Sequence, residues 1–558
     1  MIFFERSMVK KLFHSLVVWG STPSATVGSA ALLIAFAGVA SRFLGFLRDR
    51  ILASQFGAGD VLDAYYAAFR LPDLVYGFLV LGALSAAFVP IFTELVSQEK
   101  REEAWRLTSG VLHTTLFSLG LFSFFGIIFA SYITDFLAPG FSAEKQASVT
   151  TLTRIMLLSP LFLSVSAVFG GVLVSFKQFA AYSFAPFFYN VGIIFGAVFL
   201  TKYFGPAGLG WGVVLGSFFH MVVQYPSLKR AGFHFQWGLW NAWKDEQVRR
   251  VLKLMIPRSL GMAVNQISLL VMTIFASTLV SGSLASFTLA NNIQSVPLGL
   301  FGIAFSLAAF PSLSLFAAKK NDKDFFLMFS GTARKILFFV VPLSIFMIIF
   351  RAQCVRVILG SGNFDWQDTI TTFEVLKFLS LSLFAQSLVP LFARAFFALQ
   401  NTKTPLYIAF VSEAVHIALI PLLLPQYAIE GLAIAFSLST VLNCALLYFF
   451  LRRKLTFWDD AAIILPVGKI LLASLLAGAV AQLSKSVFAL TIDELDTFVK
   501  VFLQLLIGFA IGGGAYVLFA HWLRIEELER VKRFFLCRVF RQPETAALTE
   551  DHPERGDW

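Results

Sequence analysis

Long apolar stretches separated by short polar segments run through the whole chain. Counting apolar runs bounded by charged residues, glycine or proline predicts fourteen helices, centred near residues 40, 80, 120, 160, 190, 215, 267, 300, 340, 383, 412, 440, 474 and 510. About 20 apolar helical residues cross the hydrocarbon of a bilayer. The hydrophobic fraction is 58% and the charged fraction only 14%, whereas roughly a quarter of the residues of a soluble domain are charged. The sequence therefore predicts an all-α polytopic membrane protein.

Basic residues are concentrated in alternate predicted loops, which include Lys100 and Arg101, Lys229 and Arg230, and Arg452–Lys454. The positive-inside rule then places both termini in the cytoplasm. The same loops account for the net charge of +11, so nucleic acid is not expected as a partner. Residues 1–19 are interpreted as an uncleaved cytoplasmic segment. The stretch 523–540 has apolar residues at helical spacing, which predicts a basic amphipathic helix on the inner membrane surface, with a soluble partner as the alternative.

An internal repeat suggests how the helices are grouped. At an offset of 223 residues, Ile51, Ala53, Ser54, Gly59 and Ala67 fall on Ile274, Ala276, Ser277, Gly282 and Ala290. The two copies are six predicted helices apart and share one orientation, as in transporters built from parallel repeats. We therefore expect an N-terminal lobe (1–230) and a C-terminal lobe (231–455) related by a pseudo-two-fold axis, followed by two additional helices (456–524) and a cytoplasmic tail (525–558).

The first predicted helix carries charges where lipid contact is costly. Arg42 lies near its middle, and Arg48, Asp49 and Arg50 follow toward its far end. A charged side chain facing lipid at mid-depth costs at least about 2.5–3.5 kcal/mol. Arginines near a helix end can instead extend to the interface, which would suit Arg50 and fits Arg42 poorly. Arg42 and Arg48 are therefore candidate functional residues, with Asp49 beside them.

The second predicted helix adds Arg70 and Asp73 at a similar depth, three residues apart and able to pair on one helix face. Four arginines against two aspartates leave two positive charges in this region. Guanidinium groups bind phosphate oxygens in a bidentate manner, so a phosphate-bearing substrate is a natural guest. The alternative is a fully self-neutralised network with ordered water.

The second half of the chain supplies uncharged amides at the corresponding depth. Asn265 falls on Arg42 in the repeat, and Asn292 follows in the next predicted helix. Such amides either line a cavity or hold helices together. Other titratable groups in predicted helices, which could form a cation or proton relay, are Glu374, Lys377, Glu413 and His416. The three cysteines and seven histidines form no metal pattern, and no Walker motif or cofactor-binding motif is present.

Several short motifs resemble the MurJ (MviN) lipid II flippase family, part of the multidrug/oligosaccharidyl-lipid/polysaccharide exporter superfamily. They are Ser41-Arg42-Phe43-Leu44-Gly45-Phe46-Leu47-Arg48-Asp49, Phe56-Gly57-Ala58-Gly59, Phe69-Arg70-Leu71-Pro72-Asp73-Leu74, Gln266-Ile267-Ser268, Ala308-Ala309-Phe310-Pro311-Ser312-Leu313, Ala393-Arg394-Ala395-Phe396 and Asn401-Thr402-Lys403-Thr404-Pro405. The resemblance implies two six-helix lobes around a central cavity, with helices thirteen and fourteen forming a lipid-facing groove.

The resemblance also implies a function and its residues. It implies flipping of undecaprenyl-pyrophosphate-linked peptidoglycan precursor by alternating access in a bacterial inner membrane, without catalysis, with membrane lipids as further partners and cell-wall synthesis proteins as candidate ones. Family residues carry over to Arg42, Arg48 and Asp49. Tyr76, Leu81 and Asn292 stand where the family usually has charged residues. A flippase for another polyprenyl-linked glycan, a small-molecule exporter, a lipid-modifying enzyme and a non-transporting scaffold are the alternatives.

Overall fold

The computed structural model describes residues 27–77, 84–237, 242–491 and 497–539, and every regular element in these ranges is a helix. The α-helices longer than four residues are α1 Val27–Phe56, α2 Asp60–Ala68, α3 Arg70–Tyr76, α4 Leu84–Ser97, α5 Arg101–Ile128, α6 Ala130–Leu137, α7 Ala143–Met156, α8 Ser159–Ser175, α9 Phe179–Phe195, α10 Ala207–Val222, α11 Tyr225–Arg230, α12 Glu246–Ser277, α13 Ser283–Pro297, α14 Ala304–Ala318, α15 Asp322–Ile349, α16 Arg351–Leu359, α17 Trp366–Leu381, α18 Leu383–Ala398, α19 Lys403–Lys454, α20 Ala461–Thr491, α21 Phe498–Trp522 and α22 Glu526–Val539.

The all-helical membrane fold predicted from the apolar pattern is confirmed. Within the described ranges, nine helices are long and apolar enough to cross a membrane, or ten if the bent pair Trp366–Leu381 and Leu383–Ala398 is one span. The helix Lys403–Lys454 combines two helices, because Ala428 between them has a non-helical backbone (φ 45°, ψ −127°). Predictions for residues 1–26, the centre near residue 80, Leu81 and the last residues, 542–558, fall outside the described residues.

The chain forms two compact units. The first takes its described residues from Met1–Ile293, Ile358–Val375 and Ala409–Phe436, and the second from Gln294–Val357, Leu376–Ile408 and Ser437–Trp558. The first unit combines segments from both predicted lobes, because the chain returns to it twice after residue 293, whereas the second unit takes none of its residues from 1–230. The candidate residues on α1, α3, α12 and α13 all belong to the first unit.

Glycines allow close helix packing in the first unit. A Cβ atom added to Gly192 of α9 would collide with the Cα atom of Gly216 in α10, so the two backbones are in direct contact. Gly196 meets Gly212 in the same way one turn later. The helix α9 also packs against α1. This packing fixes the face of α9 that is presented to the arginine-bearing helix.

In the second unit, the last helix packs against α15. The stretch Glu526–Val539 is helical, as its apolar spacing predicts. Ile525 and Leu528 are buried, and Arg334 of α15 lies 3.2 Å from buried Glu527 and 3.6 Å from Glu526. An ion pair therefore holds this helix, in addition to its apolar face.

Candidate functional site

One face of α1 is exposed and apolar. The exposed fraction is 66% for Phe36, 57% for Val39, 73% for Phe43 and 40% for Leu47. Successive residues of an α-helix turn by about 100°, so these four positions share one side of α1. Bulky exposed apolar side chains on a membrane helix are suited to contact with lipid chains.

The opposite face of α1 carries Gly38, Arg42, Gly45 and Asp49, spaced four, three and four residues apart. The helix is unbroken through Gly45, so Arg42 and Asp49 do lie on one face. A Cβ atom added to Gly38 or Gly45 would meet nothing within 4 Å. Space is therefore open beside partly buried Arg42, on the side of α1 away from the exposed apolar residues.

A hydrogen-bonded network joins α1 to two other helices. Arg48 donates from Nε (2.9 Å) and Nη2 (2.7 Å) to Oδ1 of Asp49, and from Nη1 (3.1 Å) to Oδ1 of Asn190 in α9. Asn292 of α13 donates to Oδ2 of Asp49 at 3.0 Å. We call Arg48, Asp49, Asn190 and Asn292 the Arg48 network. It brings together Arg48, Asp49 and Asn292, three of the residues that the sequence suggests as substrate contacts.

The Arg48 network neutralises Arg48 without using all its donors. The side chain of Asp49 is 4% exposed, so its charge needs the pair with Arg48, whose side chain is 23% exposed. A guanidinium carries five N–H donors, and three hydrogen bonds to described residues are formed. Two N–H donors of Arg48 remain for a bound anion.

Arg70 is held separately from this network. Its Nε donates to Oγ1 of Thr273 in α12 at 2.7 Å, and Thr273 donates to the carbonyl oxygen of Leu269 at 2.8 Å. Asp73 and Tyr76 are half-buried on α3. Asn265 lies in α12, and its side chain falls outside the described residues.

Two polar contacts of this site were not anticipated from the sequence, namely Asn190 and Thr273. Asn190 is the only amide residue in the apolar helix Phe179–Phe195, which is a signal that could have identified it. Thr273 carries no such signal, because threonines in membrane helices commonly bond their own backbone.

A second polar cluster lies where α2, α7 and the turn before α13 meet. Nζ of Lys145 donates to Asp60 and to Asp63 at 2.7 Å each. Asp63 also accepts from the backbone N–H groups of Gly282 and Ala285, at 2.8 Å each. We call these residues the Lys145 cluster. Its hydrogen bonds tie the beginning of α2 to the beginning of α13.

Lys145 pairs with two carboxylates that differ widely in exposure. The side chains of Lys145 and Asp63 are 8% and 2% exposed, whereas that of Asp60 is 68% exposed. The pKa of Asp60 lies below its ordinary value because Lys145 and Ser281 donate hydrogen bonds to its carboxylate. Asp60 therefore stays ionised beside Lys145 at neutral pH.

The turn between α1 and α2 makes further contacts of this kind. The N–H of Ala58 donates to Oδ2 of Asp368 at 2.9 Å, and the N–H of Asn363 donates to the carbonyl oxygen of Ser54 at 2.8 Å. The segment 358–375 is thereby attached to the end of α1 within the first unit. The N-terminal ends of α2, α7, α13 and α17 therefore lie together in the first unit.

Comparison with known proteins identifies the family. A sequence model described as "Lipid II flippase MurJ" matches residues 52–502. A relative from Buchnera aphidicola subsp. Baizongia pistaciae, named "Probable lipid II flippase MurJ", is 30% identical over 414 residues, 73% of this chain and 80% of the relative. The "Lipid II flippase MurJ" of Burkholderia cenocepacia is 29% identical over 424 residues, 74% of this chain and 81% of the relative.

Solved structures give the same fold. A structure titled "Lipid II flippase MurJ, inward closed conformation" superposes with a TM-score of 0.73 at 25% identity, covering 88% of this chain and 99% of that one. An inward-facing MATE family multidrug resistance transporter of the MOP superfamily shares the fold, with a TM-score of 0.61 at 15% identity, covering 74% of this chain and 94% of the transporter. The chain belongs to the lipid II flippase MurJ family.

Proposed function

We propose that this protein moves lipid II, the polyprenyl-pyrophosphate-linked sugar–peptide precursor of peptidoglycan, from the inner to the outer leaflet of a bacterial cell membrane. Membership of the MurJ family supports the substrate, and the nine or more apolar spans support a multi-pass membrane location. The observation that carries the proposal is the arginine face of α1, which holds Arg42 beside open space and leads to the Arg48 network.

The pyrophosphate is the part of the substrate that these residues suit. It presents several anionic oxygens close together, and guanidinium groups donate to such oxygens in pairs. Asp49 fixes the plane of the Arg48 guanidinium through two hydrogen bonds, so its free donors are oriented before the substrate arrives. Arg42 and Arg70 would add positive charge at the similar depth that the sequence predicts for them.

Alternating access requires contacts that form in one state and break in the other. The Lys145 cluster and the contact between Ala58 and Asp368 are suited to this role, because they join loops that the charge pattern places on the outer side. With both termini in the cytoplasm, these contacts hold the outer end of the first unit together. The state is then one in which the substrate enters from the inner leaflet.

The same proposal includes the number and the arrangement of the membrane spans. Fourteen spans, arranged as two six-helix lobes (1–230 and 231–455) around a central cavity, would surround the sugar–peptide headgroup. The helices of 456–524 would form the lipid-facing groove for the polyprenyl tail, and 525–558 would lie in the cytoplasm. Membrane potential is a suitable driving force, since moving one charge through 100 mV changes the free energy by about 2.3 kcal/mol.

Complementation of a flippase-depleted strain tests the proposal. We expect Arg48→Ala and Arg42→Ala to abolish growth rescue, because each removes a donor to the pyrophosphate. Arg42→Ala should do so at normal membrane abundance, whereas Arg48→Ala also leaves buried Asp49 without its cation and should lower abundance. Arg154→Ala is the matched control, since Arg154 is exposed and bonds only a nearby backbone carbonyl among the described residues. Full rescue by both Arg48→Ala and Arg42→Ala would overturn the proposal.

The open space beside Arg42 permits a second, steric test. Gly45→Trp would place a large side chain where an added Cβ atom meets nothing within 4 Å. Phe43→Trp, on the exposed apolar face of the same helix, is the control. We expect both variants to accumulate in the membrane and only Gly45→Trp to lose flipping. Equal activity of the two variants would show that substrate does not pass along this face.

A flippase for another polyprenyl-linked glycan is the second candidate. It is favoured by the uncharged residues Tyr76 and Asn292 at positions that the MurJ resemblance implies are usually charged. Asn292 uses its amide to bind Asp49, so it stabilises the network and adds no charge of its own. Failure to rescue lipid II export, together with rescue of another glycan pathway, would favour this alternative.

A further inference from the structure

An apolar cavity of about 280 Å³ lies between α3, α5 and the beginning of α6 in the first unit. Leu71, Leu74 and Val75 of α3 form one wall, and Phe122 and Phe125 of α5 form another. Every residue that lines the cavity is either apolar or glycine. The cavity shares no residue with the arginine face of α1, the Arg48 network or the Lys145 cluster.

The aromatic wall of the cavity faces away from the protein interior. Phe122, Phe125 and Phe129 are exposed, whereas Val75 on the other wall is buried. The helix α5 is one of the apolar spans, and bulky exposed apolar side chains on such a helix are suited to contact with lipid chains. The cavity therefore extends from the bilayer hydrocarbon into the protein.

A guanidinium group lies beside the cavity. Arg154 of α7 is exposed, and its Nε donates to the carbonyl oxygen of Ile127 at 3.2 Å. Ile127 directly follows Gly126, which lines the cavity. A guanidinium carries five N–H donors, and Arg154 forms no other hydrogen bond and no ion pair with the described residues. Its remaining donors and its charge are therefore available to an anionic group from outside the protein.

The position of Arg154 along the spans matches the headgroup region of the bilayer. The helix α5 begins in a predicted cytoplasmic loop, and its 28 residues are about 42 Å long, whereas the hydrocarbon is about 30 Å thick. Ile127, near its far end, therefore lies at the outer headgroup level. Tyr132 of α6 is exposed nearby, and tyrosines are enriched at this level. Phe122, five residues before Ile127, lies about 7.5 Å closer to the bilayer centre.

We propose that the cavity and Arg154 together bind an anionic phospholipid of the outer leaflet. The lipid phosphate accepts hydrogen bonds from the Arg154 guanidinium, and one acyl chain extends from it into the cavity, toward the bilayer centre. The cavity volume of about 280 Å³ is close to the lower limit of about 300 Å³ for ligand pockets, so it holds part of one chain. This binding does not depend on the proposed flippase function.

The chain and the headgroup contribute differently to this binding. The apolar cavity offers water no hydrogen-bond partner, so water does not fill it, and a lipid chain supplies the dispersion contacts that an empty cavity lacks. Lipid chains meet equally apolar surroundings in the bilayer, so the cavity alone does not retain one lipid in preference to others. Hydrogen bonds between the phosphate and the guanidinium provide that preference. An anionic headgroup without an ammonium group suits Arg154 best, because it brings no like charge.

The helix α3 separates this lipid from the polar residues of the candidate substrate site. Leu71, Leu74 and Val75 are spaced three and one residues apart and share one face of α3, whereas Asp73 and Tyr76 lie on the other. The acyl chain therefore supports α3 from the membrane side. Arg154→Ala should accordingly lose the phospholipid and still bind the substrate lipid.

Native mass spectrometry of the full-length protein, released from nanodiscs of phosphatidylethanolamine and phosphatidylglycerol, measures which lipids the protein retains. We expect the wild type to retain phosphatidylglycerol, and Arg154→Ala to retain about fivefold less of it, because one cationic contact is lost. Lys202→Ala is the matched control, since Lys202 is an exposed cation of the same unit that lies over the ring of Phe199 and not beside the cavity. Equal retention by the wild type and Arg154→Ala, or equal retention of both phospholipids, would indicate a nonspecific surface lipid only and overturn the proposal.

Photo-cross-linking in the same nanodiscs locates the chain. With phosphatidylglycerol that carries a diazirine on one acyl chain, we expect cross-links to residues 122–133 that decrease in Phe122→Ala and persist in Phe124→Ala. The two phenylalanines are 55% and 59% exposed on the same helix, and only Phe122 lines the cavity. Equal cross-linking of the two variants would overturn the proposal. Displacement of phosphatidylglycerol by an equal concentration of undecaprenyl phosphate would assign the cavity to an isoprenoid chain and also overturn it.

Discussion

Removing the carboxylate of Asp49 is the most informative perturbation of the Arg48 network. Asp49→Ala deletes the acceptor of two hydrogen bonds from Arg48 and one from Asn292. The side chains of Arg48 and Asp49 are 23% and 4% exposed, so the remaining guanidinium would be largely buried without its counter-ion. We expect the protein to lose stability through this residual charge more than through the lost contacts.

The magnitude follows from the burial of the pair. Breaking a buried ion pair by deleting one partner costs about 3–5 kcal/mol, whereas replacing both partners with apolar groups is close to neutral. At about 1.4 kcal/mol per tenfold change, the folding equilibrium constant of Asp49→Ala falls by roughly 140- to 4,000-fold. The double variant Arg48→Met/Asp49→Ala should recover most of this loss, with a coupling energy of about 2 kcal/mol or more.

Unfolding free energies measured in bicelles for the wild type, both single variants and the double variant give this coupling energy. The exposed pair Arg250–Glu94, at 3.4 Å, is the control, and its coupling should not exceed about 1 kcal/mol. We expect the double variant to fold and still fail to flip, because the donor to the anion is gone. A double variant no more stable than Asp49→Ala would refute the reasoning that an unpaired buried charge dominates.

Three further predictions concern other parts of the chain. Gly282 has φ +86°, and an added Cβ atom would lie too close to the carbonyl oxygen of Ala58. Gly282→Ala should therefore destabilise the fold by roughly 1–3 kcal/mol. Unchanged thermal stability of this variant would contradict the close approach of the two segments. Lys145→Met leaves Asp63 without its cation, so deuterium exchange at the amide of Gly282, which donates to Asp63, should become faster. Unchanged exchange would show that the ion pair does not hold the beginning of α13 to α2. Arg334→Ala should release the helix Glu526–Val539 from α15, which would be measured as faster proteolysis of that helix. Proteolysis at the wild-type rate would show that apolar contacts alone hold the helix in place.

The helical membrane fold was predictable because the apolar pattern alone encodes it. The position of Arg42 was predictable for the same reason, since a central charge in an apolar helix must avoid lipid. The continuity of α1 through Gly45 was not, because a glycine inside a helix is compatible with both a break and a continuous helix. The structure shows a continuous helix, which places Arg42 and Asp49 on one face.

Contacts between distant segments could not be read from the sequence. Asn190 reaches Arg48 only because glycines bring α9 and α10 into close contact and α9 also packs against α1. Lys145 lies beside Asp63 through the folding of segments 82 residues apart. Neither pairing has a local signature, since hydrogen bonds between helices depend on how the helices pack and not on spacing along one helix.

The most direct test of the central claim is mass spectrometry of the lipids that copurify with the protein. We predict that wild-type protein and Arg154→Ala retain a polyprenyl-pyrophosphate-linked sugar–peptide, and that Arg42→Ala and Arg48→Ala do not. Retention of the same pyrophosphate lipid by both arginine variants, at wild-type abundance, would contradict the claim that this face of the first helix binds the diphosphate.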